Sequence, residues 1–223
     1  MIHVLIERII PVISRGGDRA FFDGASFPWV AAVEAGWRDI RAEMESLLAD
    51  RDRIPNFQDL SEDQRALTEG DDWKTYFFHV YGRSIASNCA RCPKTERILR
   101  CIPGMKTAMF SILAPGKHIP EHRGVYKGVL RYHLGLIVPQ PQTSCRIRVR
   151  NEIRCWEEGK SLIFDDSHPH EAWNDSDSHR VVLFVDFVRP LPFPFSVVNR
   201  TQIWRISRKP LVVNAVGRIE RTM

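Results

Sequence analysis

Pro103-Gly104-Met105-Lys106-Thr107-Ala108-Met109-Phe110-Ser111-Ile112-Leu113 is the stretch at which the chain changes its period. Before it, apolar residues recur at steps of three and four. After Gly104 the spacing moves toward two, and β-branched and aromatic residues cluster in short runs parted by Pro, Gly, Asn and Asp. The first spacing belongs to a helix with one buried face and the second to a half-buried strand. Strands are therefore predicted over 106–113, 129–138, 145–149, 161–164, 170–173 and 181–188. No helical pattern separates these runs, so they predict antiparallel sheet arranged as a sandwich, jelly roll or barrel.

Toward the N-terminus, Trp29, Val30, Val33, Trp37, Ile40, Met44, Leu47 and Leu48 fall on one side of a helical wheel, with Glu34, Arg38, Asp39, Arg41, Glu43 and Glu45 on the other. One amphipathic helix over 27–48 is expected, with Pro28 in its first turn. A short helical piece is expected after Ser61, and a further helix over 93–102, opened by Pro93 and stopped by Pro103-Gly104. Toward the C-terminus a Pro-rich turn at 190–194 leads into a basic tail. The predicted organisation is a helical region over 1–104 packed on a β core over 105–190, followed by the turn and tail over 191–223. The fold class is mainly β with a helical N-terminal part, that is α+β.

With 43% hydrophobic and 26% charged residues in 223, the composition is that of one globular domain, not of a disordered or collagen-like chain. The most apolar N-terminal segment, 1–13, carries Glu7, Arg8 and Pro11. It predicts neither a membrane-spanning helix nor an export signal, and the expected location is the cytoplasm. The net charge of +5 is concentrated at one end. From Arg189 onward there are seven basic residues against Glu220 alone, a net +6, which leaves the preceding 188 residues at −1. Such a segment suits an anionic membrane surface or an acidic partner, or is simply a solvated basic face. It has no nucleic-acid-binding motif, and no nucleic-acid partner is expected.

Cys89, Cys92, Cys101, Cys145 and Cys155 are an odd number, which predicts free thiols and no disulfide framework. Cys89-Ala90-Arg91-Cys92 has the spacing of half a zinc site, but no second CxxC follows to complete four ligands. The histidines say more. His118, His122, His133, His168 and His170 lie among the expected strands, and strands distant in sequence can bring imidazoles together around a transition metal.

Two longer passages sharpen this. Phe110-Ser111-Ile112-Leu113-Ala114-Pro115-Gly116-Lys117-His118-Ile119-Pro120-Glu121-His122-Arg123-Gly124 is followed by Leu130-Arg131-Tyr132-His133-Leu134-Gly135-Leu136. Farther on come Cys145-Arg146-Ile147-Arg148-Val149, Trp156-Glu157-Glu158-Gly159-Lys160, and Phe164-Asp165-Asp166-Ser167 ahead of His170-Glu171-Ala172-Trp173. In order and spacing, from about Met105 to Arg189-Pro190, these resemble the aspartyl/asparaginyl β-hydroxylase family. The resemblance implies a double-stranded β-helix, the jelly-roll core, and an enzyme dependent on iron(II), 2-oxoglutarate and O2. It implies that His122 and His170 are the metal ligands, and that Gly124 stands where many non-haem iron enzymes place a carboxylate. His168 competes with His170 by position, but His170 alone sits in the matching His-Glu-x-Trp context.

By the same resemblance Arg180 grips the distal carboxylate of 2-oxoglutarate, with Ser111 as its hydroxyl partner and Arg131 and His133 lining the pocket. Asp166 matches an acid near the metal. The implied outcome is hydroxylation of an unactivated C–H bond. The substrate is expected to be a lipid acyl chain of the lipid A type, with peptidyl Asp/Asn as the alternative. Ile203, Trp204, Ile206, Leu211, Val212 and Val213, interleaved with the tail's charges, would then hold the enzyme at an anionic membrane surface. A cupin-like metal-binding module without turnover and a zinc hydrolase are the competing readings. The second would need a third protein ligand, and Gly124 removes the obvious candidate.

Overall fold

A computed structural model describes residues 2–60, 67–68 and 70–222. In chain order the elements are α1 (Ile2–Ile13), β1 (Phe21–Phe22), α2 (Val30–Ala35), α3 (Trp37–Leu48), α4 (Phe57–Leu60), β2 (Trp73–Val80), β3 (Arg83–Ser84), α5 (Ala86–Arg91) and α6 (Pro93–Leu99). There follow β4 (Met105–Leu113), β5 (His118–His122), β6 (Val129–Ile137), β7 (Cys145–Val149), β8 (Glu152–Cys155), β9 (Ser161–Phe164), β10 (His170–Asn174), β11 (Arg180–Val188), α7 (Phe195–Ile206) and α8 (Pro210–Thr222). A seven-stranded sheet of order β1-β9-β6-β11-β4-β2-β3 packs on a four-stranded sheet of order β5-β10-β7-β8. All pairings between these strands are antiparallel, as a jelly roll requires.

The larger sheet is buried on both faces, and its alternation sorts side chains into two cores. On β11, Val181, Leu183, Val185 and Phe187 join Ile40, Met44 and Leu47 of α3 and Leu99 of α6. Val182 and Phe184 point the other way, toward Ile147 and Val149 of β7 and Ile119 of β5. Phe110 and Ile112 of β4 face the helices while Met109 and Leu113 face the second sheet. Leu130, Tyr132 and Leu134 of β6 lie on the helix side. Strict alternation then assigns Ser111, Arg131, His133 and Arg180 to the space between the sheets.

Three expectations change. The helix expected over 27–48 is two, α2 and α3, broken at Gly36. A Cβ there would lie 2.5 Å from Cδ1 of Ile98, so glycine lets the break sit against α6. The region over 1–104 is not helical throughout, because β2 runs beside β4 from Trp73↔Leu113 to His79↔Ala108 inside the large sheet. Its apolar run is buried on both faces and shows no alternation, so it lacks the half-buried strand signature. The expected boundary at 104/105 thus falls within one sheet. The tail over 191–223 folds, after its Pro-rich turn, into α7 and α8. The helical piece expected after Ser61 lies outside the described residues, apart from α4 just before it.

Candidate active site

β5 and β10 bring the two motif histidines together. His122 and His170 are direct register partners, and the pairing shifts between that pair and Ala172↔Ile119. Pro120 and Glu121 of β5 therefore oppose Glu171 of β10 alone. This bulge turns both Ile119 and His122 inward, which a regular strand could not do for residues three apart. The ring centroids are 4.1 Å apart.

Backbone carbonyls settle each tautomer. Nδ1 of His122 lies 2.9 Å from the Pro120 carbonyl, and Nδ1 of His170 lies 2.9 Å from the His168 carbonyl. A carbonyl only accepts, so Nδ1 carries the proton in both rings and Nε2 keeps its lone pair. Burial lowers the pKa of His122, and burial together with His122 pushes His170 down to about 3. Both rings are neutral near pH 7, as metal ligands must be, and a carbonyl-anchored second nitrogen is the usual support of a metal-bound imidazole.

His168 turns elsewhere. It precedes β10, and its Nε2 lies 3.3 Å from Nζ of Lys127, 3.4 Å from Asp18 Oδ1 and 3.5 Å from Asp165 Oδ2. Asp165 in turn is paired with the buried Arg189. His168 thus belongs to a charged cluster and does not share the face of His170.

Gly124 and Asp166 share one small space. The Gly124 N–H donates to the Asp166 carbonyl at 2.7 Å. A Cβ at 124 would lie 2.1 Å from Asp166 Oδ2, so the Asp166 carboxylate fills the volume a side chain at 124 would need. Asp166 is ion-paired with Nη2 of Arg131 at 2.8 Å, yet its Oδ1 has no hydrogen-bond partner. Burial outweighs Arg131 and lifts its pKa to about 7.

Arg131 lies between the sheets as expected, but its guanidinium is already engaged. Nε donates to Asp186 Oδ1 at 2.8 Å, and the group sits 4.2 Å over the Phe184 ring. Asp166 and Asp186 hold it in place, a setting that supports the site wall.

Arg180 is the opposite case. It is 2% exposed and stacks 4.5 Å over Trp156, and its Nε and Nη1 have no hydrogen-bond partner. Burial pulls its pKa down to about 10, still well above neutrality. Nearby, Trp156 Nε1 donates to Nδ1 of His133 at 3.3 Å, which leaves the His133 proton on Nε2, itself unpartnered. Ser111 Oγ accepts from Trp73 Nε1 at 2.9 Å, so its own hydrogen is free to donate. A buried cation and two spare donors thus line the inter-sheet space. Trp73 and Trp156 orient these donors, and the sequence assigned a role to neither. Trp156 stood within a quoted motif, whereas Trp73 belongs to the unforeseen strand.

A cavity of about 230 Å³ opens beside His122, Arg131 and Asp166 and runs to Ile203, Ile206 and Ile219 of the C-terminal helices. The cysteine pair forms no zinc half-site. Among the described residues Cys89 groups with His79 and Glu96 and Cys92 does not, although both thiols lie in the helix-side core.

Two facing antiparallel sheets with a polar site between them make this a jelly-roll protein. A cupin domain of an XRE-family transcriptional regulator from Enterobacter cloacae is 14% identical, covering 53% of this chain and 99% of that one at a TM-score of 0.37. Residues 34–190 match the Aspartyl/Asparaginyl beta-hydroxylase family, and the chain belongs to that family. It is 50% identical over 183 residues to an ornithine lipid ester-linked acyl 2-hydroxylase of Rhizobium tropici, covering 82% of this chain and 65% of the relative. It is 39% identical over 166 residues to the human aspartyl/asparaginyl beta-hydroxylase, covering 72% of this chain and 21% of that protein. The chain therefore spans less than two thirds of either relative.

Proposed function

We propose that the protein is an iron(II)- and 2-oxoglutarate-dependent hydroxylase of an ester-linked lipid acyl chain, with His122 and His170 as the metal's protein ligands. The observation that supports this most is the presence, within one barrel, of two imidazoles open at Nε2 and a buried guanidinium without an anion. Imidazole nitrogen suits iron(II). A lone charge in a dry interior costs several kcal/mol, so Arg180 fits a site whose ligand brings a carboxylate. The Ser111 hydroxyl and the His133 Nε2–H supply further donors to that anion, and Trp73 and Trp156 hold them in orientation. Once bound, iron(II) and 2-oxoglutarate supply the oxidation, in which one oxygen of O2 enters the substrate C–H bond and the other enters succinate as CO2 departs. The chain's own part is to anchor the keto acid at Arg180, keep both imidazoles neutral, and exclude water with Phe164, Phe184 and Trp156. Asp166, held by Arg131 beside Gly124, positions what enters next to the imidazoles.

The similarity to the Rhizobium tropici enzyme supports a lipid acyl chain, hydroxylated at its 2-position, and favours an ornithine lipid over lipid A. Peptidyl Asp/Asn, supported by the similarity to the human enzyme, is the second reading. No helix among the described residues is long and apolar enough to cross a membrane. Peripheral contact with an anionic lipid surface is supported by the exposed Phe193, Val197 and Trp204, which alternate with the exposed Arg200, Arg205 and Arg208.

The test is incubation of the protein with iron(II), 2-oxoglutarate and air, offering ornithine lipid, lipid A or an Asp/Asn-containing epidermal-growth-factor-like peptide. Succinate release together with an acyl chain heavier by one oxygen is expected from ornithine lipid. Turnover of the peptide alone would replace the lipid reading with the second one, and no succinate with any of the three would overturn the hydroxylase.

A further inference from the structure

The cavity beside His122 has one wall that lies outside the family match, which ends at residue 190. Ile203 and Ile206 of α7 and Ala215 and Ile219 of α8 line it. Phe77 and Val80 of β2, which share a packed cluster with Ile219, line it as well. These six side chains offer no hydrogen-bond donor or acceptor, and the polar lining, with Lys106, Thr107, Arg123, Tyr126 and Asp186, belongs to the rest of the cavity. An extended peptide brings one N–H and one C=O per residue, each of which would be stranded against such a wall. A saturated alkyl chain brings none and gains from every methylene it buries.

The outer side of the same helices has different chemistry. Ile203 and Ile206 are buried, whereas Arg200, Trp204 and Arg208, spaced four apart, form a separate exposed row on α7 and its C-terminal end. One helix thus carries an apolar face toward the site and a basic, aromatic row toward solvent.

From this two-sided arrangement we infer that α7 and α8 form the acyl-chain wall of the substrate site and set the chain length it accepts. The reactive carbon lies at the imidazole end, and the alkyl tail runs toward Ile203, Ile206 and Ile219. The inference rests on the lipid-acyl reading above and adds which residues select the substrate.

Displacement of a dansyl-labelled fatty acid from the full chain by short, medium and long saturated fatty acids tests it without metal or turnover. Each added methylene should tighten binding by about fourfold until the wall is reached. Ala215→Phe, which fills the far end, should weaken the long acids at least tenfold and leave the short ones within about twofold. Ile219→Ala, which enlarges it, should move the preference to longer chains and carries the test if Ala215→Phe fails to fold. The lengths of the 2-hydroxylated acyl products should shift in the same directions. An unchanged length profile in both variants of a protein that hydroxylates lipid would overturn the wall alone. No fatty-acid binding by the wild-type chain, with turnover of peptide instead, would overturn the lipid reading and the wall with it.

Discussion

Gly124 donates its backbone N–H to the carbonyl of Asp166, and the Asp166 carboxylate occupies the volume that a Cβ at 124 would require. A carboxylate does line the same cavity as His122, but it comes from the turn before β10 and not from the strand of the first histidine. Gly124→Ala should push Asp166 off Arg131 and destabilise the protein by about 1–3 kcal/mol, as overpacking does. Adding Asp166→Ala should restore much of that loss, because the clash and the displaced carboxylate disappear together. Urea unfolding of the two single variants and the double variant measures the coupling, and additive losses would show that the two residues do not share the space.

His122→Ala and His170→Ala should each abolish tight iron(II) binding, whereas His168→Ala should retain it. The His168 ring is held by Asp18, Asp165 and Lys127 and does not face His122. Calorimetric titration of iron(II) under nitrogen distinguishes them. Loss of binding in His168→Ala with retention in His170→Ala would reverse the assignment.

Arg180→Met should act in opposite directions on stability and on cosubstrate binding. Removing a buried cation that has no anionic partner should raise the stability of the ligand-free protein by on the order of 1–3 kcal/mol. The same change should weaken 2-oxoglutarate by about 2–5 kcal/mol, thirtyfold or more, because the carboxylate loses its counter-charge. Thermal melts with and without 2-oxoglutarate read both effects, and a destabilised variant with unchanged cosubstrate affinity would contradict the role.

Asp18 provides a pH signature. Burial raises its carboxyl, but hydrogen bonds from Lys127 and Arg150 outweigh that and hold its pKa at about 2, below the ordinary 3.8. A depressed carboxyl contributes stability that is fully present above its unfolded value and is lost as pH falls from about 4 through 2. Asp18→Asn should therefore lower stability at neutral pH and flatten the stability profile over that acid range. Denaturant midpoints measured from pH 6 to about 2 check this.

Most of the core strands were legible because their patterns are local. β7 and β9 have the expected bounds, and β4, β6, β10 and β11 differ by a residue at an end. β2 was not legible, since a strand buried on both faces has no alternation, and β5 and β8 were too short and polar to register. In the site, Ser111, His133 and Arg180 were named by the motif resemblance alone, and the alternation that turns them between the sheets came from the structure. Trp73 was not, because nothing near it in the chain signals that it will lie beside Ser111.

By itself the sequence determined the change of period at Gly104 and most of the core strands that follow it. These depend on residues within a few positions of one another, where period and motif act directly. Only the tertiary structure decided that a bulge in β5 turns His122 inward, that Arg131 is ion-paired with Asp166 and with Asp186, 55 residues away, and that Arg180 meets no anion among the described residues. It also decided that the basic tail places Ile203, Ile206 and Ile219 against the cavity. Charge compensation and cavity walls are made by groups far apart in the chain, so no local pattern records which partner each side chain meets.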